Sequence, residues 1–359
     1  MASDSTTENL APKSKLEGSR LHSIIANTLL LTISSGFCLL MIEVAYRLVF
    51  SNLKHKEWND RPSSYFAPQN AITFQDFPHN PIKPKGVYRI AVIGDSFSFG
   101  PYIQFDDTFS KRLERWLNLN SKQQRVEVIN YGVPSYSSSH EIDVAKRAIS
   151  ENADLILLQI TLNDPEIKLY KPTGLNRNLM TGEIQLQGFI FRHWHSLAYV
   201  AQRILNTKAH REYQDYYYNL FKKKDSWGQF KDSIQKIGNI ALTSKTPLVA
   251  AVFPLFGYEV DDAYPFYPLH KKTLGLLESI NVQAIDISSG YKNIPLDRLQ
   301  VIISKDRHPN EIGHRIAAEA LIDWFAKAKI VPEEILPKKS YPERIAIKFE
   351  DNNQKQLDL

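Results

Sequence analysis

The run Arg89-Ile90-Ala91-Val92-Ile93 is apolar and β-branched, without the polar alternation of a half-exposed strand. Such a run reads as a strand buried on both faces, the mark of a parallel sheet covered by helices. It stops at Gly94-Asp95-Ser96-Phe97, and a helical pattern begins near Asp107, with Phe109, Leu113, Trp116 and Leu117 on one face. The unit then recurs. Val126-Glu127-Val128-Ile129-Asn130 reads as a second strand and runs into Tyr131-Gly132-Val133-Pro134. A helix carrying Ile142, Ala145 and Ile149 follows, and then a third strand, Asp154 to Ile160, which ends at Thr161-Leu162-Asn163-Asp164. Pro247 to Phe253 and Val282 to Ile287 read as the fourth and fifth strands, with a helix between them near residues 268–279. A last helix begins after Pro309, with Asn310 as its cap. Its Ile312, Ile316, Ala320 and Trp324 recur every four residues, which predicts an inward stripe. This β-α-β-α-β rhythm implies a parallel sheet with right-handed crossovers.

Ahead of this domain lies a different kind of segment. Residues 23–42 carry no charge, and a helix of about 20 apolar residues is what a bilayer core requires. Glu43 and Arg47 follow one turn apart, placed to sit at an interface, and Tyr46, Leu48, Val49 and Phe50 continue the segment to residue 50. No small-residue cleavage site follows, so the segment reads as an uncleaved anchor, against a cleaved signal peptide or a buried core helix. Lys13, Lys15 and Arg20 precede it and Arg47, Lys54, Lys56 and Arg61 follow, so basic residues do not choose the orientation.

The rest of the organisation follows from composition. Residues 1–22 are polar and are expected to be a disordered tail. Residues 51–87, punctuated by Pro62, Pro68, Pro78, Pro81 and Pro84, read as a linker. The α/β domain takes 88–326. Within it, 165–240 breaks the rhythm as an aromatic-rich insertion, helical beyond about residue 195 and set over the strand ends. Tyr213, Tyr216, Tyr217, Tyr218 and Phe221 make it either a lid or substrate platform, or a packing module whose tyrosines fill a small core. Residues 327–359 read as a charged, loosely held extension.

Net charge is +5 over 359 residues, with Lys and Arg spread among Asp and Glu, which gives no nucleic-acid footprint. The single cysteine, Cys38, rules out an intrachain disulfide and a cysteine-based metal site. The turn after the first strand lacks the glycine spacing that cradles phosphates, which weakens a nucleotide-binding reading.

In a parallel sheet the carboxyl ends of all strands share one edge, so residues remote in sequence converge there. Ser96 is the candidate nucleophile, and a serine hydroxyl needs a base. His308 is the candidate base, at a loop-to-helix junction, and Asp306 its orienter. Gly132 offers a backbone N–H without a Cβ in the way, and Asn163 offers a side-chain amide. Acyl transfer needs this set: nucleophile, base, orienter and donors for an oxyanion. Other polar residues take bland readings. Asp95 anchors its turn or hydrogen-bonds Asn163 or backbone, Asp164 caps the break into Pro165, and Asp286 caps a strand end. His193 and His195 are two apart, but lack the further ligands a metal site requires and read as surface or packing residues. His314 reads as a structural hydrogen-bonder, and Ser135 or Ser137 as loop residues open to lining a cleft.

Gly94-Asp95-Ser96-Phe97, Asn130-Tyr131-Gly132, Leu162-Asn163-Asp164 and Asp306-Arg307-His308-Pro309-Asn310, in this order, resemble the four signature blocks of the SGNH (GDSL-type) hydrolase superfamily. The resemblance covers roughly residues 87–326, and the anchor, linker and Gly-Asp-Ser-Phe sequence are similar to membrane-anchored bacterial members. It implies a three-layer α/β/α flavodoxin-like fold, esterase or acyl-transfer chemistry on an ester, O-acetyl groups of polysaccharides among them, and no metal or cofactor. By position, it makes Ser96 the nucleophile, His308 the base, and the Ser96 N–H, Gly132 N–H and Asn163 amide the oxyanion donors. It also implies a single-pass membrane protein with an extracytoplasmic, periplasmic catalytic domain. One departure stands out. The usual pattern places the acid three residues before the histidine, where this chain has Lys305; Asp306 is two before. That departure leaves a second class of function open: a catalytically silent binding or assembly protein in envelope polysaccharide processing.

Overall fold

The computed structural model describes residues 13–50, 79–119, 125–169, 188–302 and 306–336, with Asp76 and Leu186. The expectations for residues 1–12, for most of the linker, for Lys305 and for the chain beyond 336 fall outside these described residues.

Five parallel strands build the sheet: β1 (Val87–Ile93), β2 (Arg125–Asn130), β3 (Leu155–Ile160), β4 (Leu248–Val252) and β5 (Gln283–Asp286), in the order β2-β1-β3-β4-β5. β1 is flanked on both edges: Ile90 pairs with Val128 and Leu155, and Val92 with Asn130 and Leu157. Successive side chains of a strand leave on opposite faces, and the two cores divide accordingly. Ile90, Val92, Leu155, Leu157 and Ala251 join one core, with Phe109, Leu113 and Leu117 of α3 (Phe109–Asn118) and Leu321 and Phe325 of α9 (Glu311–Lys327). Ala91, Ile93, Ile156, Leu158 and Ala250 join the other, with Ala145 of α4 (Ser138–Ser150), Ile234 and Ile237 of α7 (Lys224–Ser244), and Leu276 and Leu277 of α8 (Tyr267–Ser279). The result is three layers in the flavodoxin-like strand order. That order reverses direction between β1 and β3, and the crevice for a ligand lies at such a switch point.

Several details depart from the sequence reading. α9 has a wider buried face than the expected stripe. His314, Ala317, Ala318, Leu321, Ile322 and Phe325 are buried, whereas Ile312, Ile316, Ala320 and Trp324 are half-buried. The helix packs against α3 and also against the 3₁₀ turn Ile287–Tyr291, so the expected stripe becomes one flank of the contact. Ile316 lies against Gly290 there. Beyond Pro332 the chain does not detach at once: a 3₁₀ turn at Glu333–Ile335 buries Ile335 in the first core. For the aromatic cluster the sequence leaves two readings open, and Tyr213, Tyr217 and Phe221 follow the packing one, buried in that core with Phe266.

Contacts divide the described residues into two compact units, one comprising residues 13–50, Leu186 and 188–206 and the other the remainder. In the first, α1 (Lys13–Phe50) is one continuous helix. It includes residues 13–22, expected from composition to be irregular. Lys, Leu, Glu and Arg there are good helix formers, and extending an existing helix costs far less than starting one. Its stretch His22–Val49, 28 residues, is long and apolar enough to cross a membrane. The same unit holds α5 (Phe189–His193) and the start of α6 (His195–Lys222).

Candidate active site

Ser96 opens α2 (Ser96–Phe99), a single turn immediately after β1, and its neighbours explain that turn. Asp95 Oδ1 accepts the Phe97 N–H at 2.9 Å, and Gly100 closes the turn in the left-handed region at φ 73. Gly94 must lack a side chain, because a Cβ would collide with Gln159 Oε1 and come within 2.6 Å of Ser98 Oγ. Gln159 Oε1 in turn accepts the Asp95 N–H at 3.1 Å and the Ser98 hydroxyl at 2.8 Å. From the β2 side, Asn130 donates its amide to Ser98 O at 2.7 Å. The serine is thus presented on a turn held from both neighbouring strands. Ser96 itself remains half-buried rather than sealed.

His308 and Asp306 come from a short antiparallel pair of strands, β6 (Gln300–Ile302) with β7 (Asp306–Pro309), where the sequence pattern predicts a loop running into a helix. This pairing resolves the spacing. Residues two apart on an extended strand point the same way, so Asp306 and His308 share one side. Arg307, between them, turns to the other side, its guanidinium 4.7 Å from the centre of the Tyr213 ring. Asp306 Oδ1 lies 2.6 Å from His308 Nδ1 and also accepts the His308 backbone N–H at 3.0 Å. His308 Nε2 lies 2.8 Å from Ser96 Oγ. An ionised Asp306 can only accept, so Nδ1 carries a proton and Nε2 is left as the acceptor for the serine O–H. The Phe97 ring packs against the imidazole with centroids 5.6 Å apart.

The electrostatics follow from this chain of contacts. Burial disfavours the charged imidazole, but the hydrogen bond and charge of Asp306, with Asp95 behind, outweigh it and raise His308 above its usual value of 6.5. Burial pushes Asp306 up, yet the His308 bonds prevail and hold it below the ordinary carboxylate value.

The two expected donors beside Ser96 are both nearby and both engaged. Asn163 gives one amide hydrogen to Asp95 Oδ2 at 3.0 Å, while its carbonyl oxygen contacts the Thr161 hydroxyl, which itself lies 2.8 Å from Asp95 Oδ2. The Gly132 N–H points to Asn130 Oδ1 at 3.0 Å. A Cβ on Gly132 would stand 2.5 Å from Phe99 N and 2.6 Å from Ser98 Cβ, so glycine here permits close approach to the α2 backbone.

Other residues singled out from sequence take structural places. His314 accepts the Phe109 N–H at 3.1 Å through Nδ1, and burial, followed by the charges of Arg112 and His308, lowers it to about 3. Asp286 Oδ1 accepts the Ser288 N–H at 2.9 Å, and Oδ2 lies 2.9 Å from His270 Nδ1. Asp164 accepts the Thr161 N–H at 2.7 Å. Ser137 caps α4 and Ser135 is exposed. His193 and His195 are exposed, and among the described residues no group of three His, Cys, Asp or Glu is placed to hold a metal ion. Glu141, in the first turn of α4, is fully buried, and among the described residues neither of its carboxyl oxygens has a hydrogen-bond partner. Burial, then the charge of Asp95, raises its pKa well above the usual carboxylate value, and burial with the charge of Glu141 does the same to Asp164. Sequence reasoning overlooked Gln159, Thr161 and the amide of Asn130. Only Gln159 carried a signal, as the one polar residue in the apolar run Leu155–Ile160.

No family model and no curated protein matches the chain. Solved structures that it resembles include a protein described as a putative lipolytic protein of the G-D-S-L family from Desulfitobacterium hafniense, at 12% identity and a TM-score of 0.39, covering 65% of this chain and 97% of that one. A two-domain esterase active on acetylated mannans is similar at 15% identity and a TM-score of 0.43, over 72% of this chain and 53% of that one. A catalytic mutant of an acetylxylan esterase from Geobacillus stearothermophilus is similar at 13% identity and a TM-score of 0.39, over 66% of this chain and 93% of that one.

Proposed function

We propose that the protein is a serine esterase or O-acyl transferase, anchored to a membrane by residues 22–49, with Ser96, His308 and Asp306 as its catalytic residues. The observation that carries this reading is the unbroken chain from Asp306 Oδ1 through both ring nitrogens of His308 to Ser96 Oγ, at 2.6 and 2.8 Å. That chain is what activation of a serine hydroxyl requires. Ser96 Oγ attacks the ester carbonyl and its proton passes to His308 Nε2. Asp306 stabilises the imidazolium so formed. The tetrahedral intermediate collapses, the departing alcohol takes the proton from Nε2, and the acyl group stays on Ser96. A water or an acceptor hydroxyl then gives its proton to Nε2 and attacks, which releases the acyl group and restores the serine. Hydrolysis and transfer differ only in which of those two enters.

For the oxyanion, the donors that no described residue engages are the Ser96 N–H, at the start of α2 where helix N–H groups lack partners, and the second amide hydrogen of Asn163. The Gly132 N–H would act as a donor shared with Asn130 Oδ1. The resemblance of the four sequence blocks implies O-acetyl esters of a polysaccharide as the substrate class, and the resemblance of the anchor and linker to membrane-anchored bacterial members implies a periplasmic catalytic domain. The test uses detergent-purified protein and its Ser96→Ala variant with a chromogenic acetate ester and a fluorophosphonate probe. Native protein should turn over the ester and label at Ser96, and the variant should do neither. Retained hydrolysis in Ser96→Ala would remove the serine from the mechanism, and a native serine that never labels would favour a binding protein instead.

A further inference from the structure

In α1, where Ile42, Val44 and Arg47 are exposed, Glu43 is buried at 6% exposure. Its two oxygens cap the start of α6: Oε1 accepts the His195 N–H at 2.8 Å and Oε2 the Ser196 N–H at 2.7 Å. Arg47 completes the clamp. Its Nε donates to Glu43 Oε1 at 2.8 Å and a terminal nitrogen donates to His193 O, at the end of α5, at 2.6 Å. The rings of Tyr46 and Tyr199 meet with centroids 5.6 Å apart. The segment from α5 into α6 is therefore tied to one level of α1, residues 43–47.

We propose that this segment, residues 188–206, lies on the bilayer as an interfacial platform, its apolar side chains inserted among lipid headgroups and upper acyl chains. The proposal rests on reading residues 22–49 as a membrane span. At 1.5 Å per residue, that helix is about 42 Å long, against a hydrocarbon core of about 30 Å. The surplus places residues 43–47, at one end, in the headgroup zone, where an ion pair and a capped helix start are affordable and where amphipathic helices settle.

Two further features of the segment fit that depth. Phe189 and Ile190 of α5 are 75% and 60% exposed, and Leu197, Val200 and Ile204 of α6 are 45%, 53% and 67% exposed. The last three recur at i, i+3 and i+7, so they form one stripe. Side chains this apolar, clustered beside a membrane helix, need an apolar partner. The charge is also one-sided: no Asp or Glu occurs between Glu183 and Glu212, while Arg192 and Arg203 are exposed. Basic side chains around an apolar stripe match an anionic lipid surface.

The test places a single cysteine at Ile190, Val200 or Phe37 in full-length Cys38→Ser protein. Each is labelled with an environment-sensitive nitrobenzoxadiazole dye and reconstituted into vesicles of phosphatidylcholine and phosphatidylglycerol. Labels at 190 and 200 should lose fluorescence to lipids bearing a nitroxide near the headgroup more than to lipids bearing it near the chain end. The label at 37, in mid-helix, should show the reverse order. If 37 is quenched and 190 and 200 are not, the platform is refuted while the anchor stands. If 37 is not quenched either, the anchor reading fails first and takes the platform with it. Labels at 190 and 200 shielded from aqueous iodide but untouched by both nitroxides would mean that a protein, such as a second copy of this chain, covers the face, which also overturns the proposal.

Discussion

Replacing Asp306 by Asn isolates one contribution, the negative charge behind the histidine. The amide oxygen of Asn can still accept the His308 backbone N–H that Asp306 Oδ1 now accepts at 3.0 Å, so β7 keeps its geometry. What is lost is a buried carboxylate 2.6 Å from Nδ1. Taking one member from a buried charge pair costs about 3–5 kcal/mol, and the pair carries full charge only when His308 holds the serine proton. The loss therefore falls on the transition state. At about 1.4 kcal/mol per decade, kcat should fall by roughly 10²–10⁴ with KM little changed. A second readout separates charge from mere disturbance. His308 must be neutral to accept the proton, so kcat/KM rises with pH through its pKa. Burial lowers that pKa, and chiefly the Asp306 hydrogen bond and charge raise it above 6.5. Without them, the acid limb of the profile should move to lower pH. The assay is hydrolysis of p-nitrophenyl acetate across pH in detergent, with thermal unfolding as the check on folding. A loss below about tenfold, with the acid limb unmoved, would refute the assignment of Asp306.

Two more substitutions follow from the site. Asn163→Ala should lower kcat by roughly 10²–10³, the usual effect of losing one oxyanion donor, with unfolding temperature measured alongside, because Asp95 Oδ2 also loses a partner; unchanged kcat would remove Asn163 from the oxyanion site. Glu141→Gln tests the buried acid of α4. A carboxyl raised by folding contributes stability that is fully present below its unfolded value, about 4.5, and is lost as pH rises through the raised folded value. The Gln variant should therefore unfold at a higher temperature than the native chain at pH 8, with the gap closing below pH 4.5; no gap at pH 8 would contradict the burial argument.

The sheet was legible because its strands are buried on both faces. Arg89 to Ile93 and Leu155 to Ile160 announce themselves as largely apolar runs, and each is followed within three residues by ones that the fold brings to the site, Ser96 after the first and Asn163 after the second. The strand pair that carries His308 was not legible. Its strands are three and four residues long, pair with a register shift, and include Pro309, so neither alternation nor length marks them. The stripe on α9 was misread by about one position, because a helix packed on two neighbours buries more than one row of side chains and the pattern alone does not centre the face. The clamp at Glu43 was hidden for another reason: its partners are backbone N–H groups about 150 residues away, and backbone donors leave no trace in side-chain identity.

The departure at Lys305 shows what a spacing rule encodes. On a helical turn, a separation of three or four aligns two side chains; on an extended strand the separation is two. Asp306 meets His308 because β7 is extended there, and the same alternation sends Arg307 away to Tyr213. Two buried carboxyls show that the contact matters more than the residue type. Asp306 receives the imidazole and a backbone N–H on one oxygen, and its pKa is lowered. Among the described residues Glu141 receives no hydrogen bond, and its pKa rises. Burial opposes ionisation of both, so the hydrogen-bond donors decide which acid carries charge. A carboxylate held charged against Nδ1 places negative charge on the far side of the histidine from Ser96, which favours the movement of a proton from serine to imidazole.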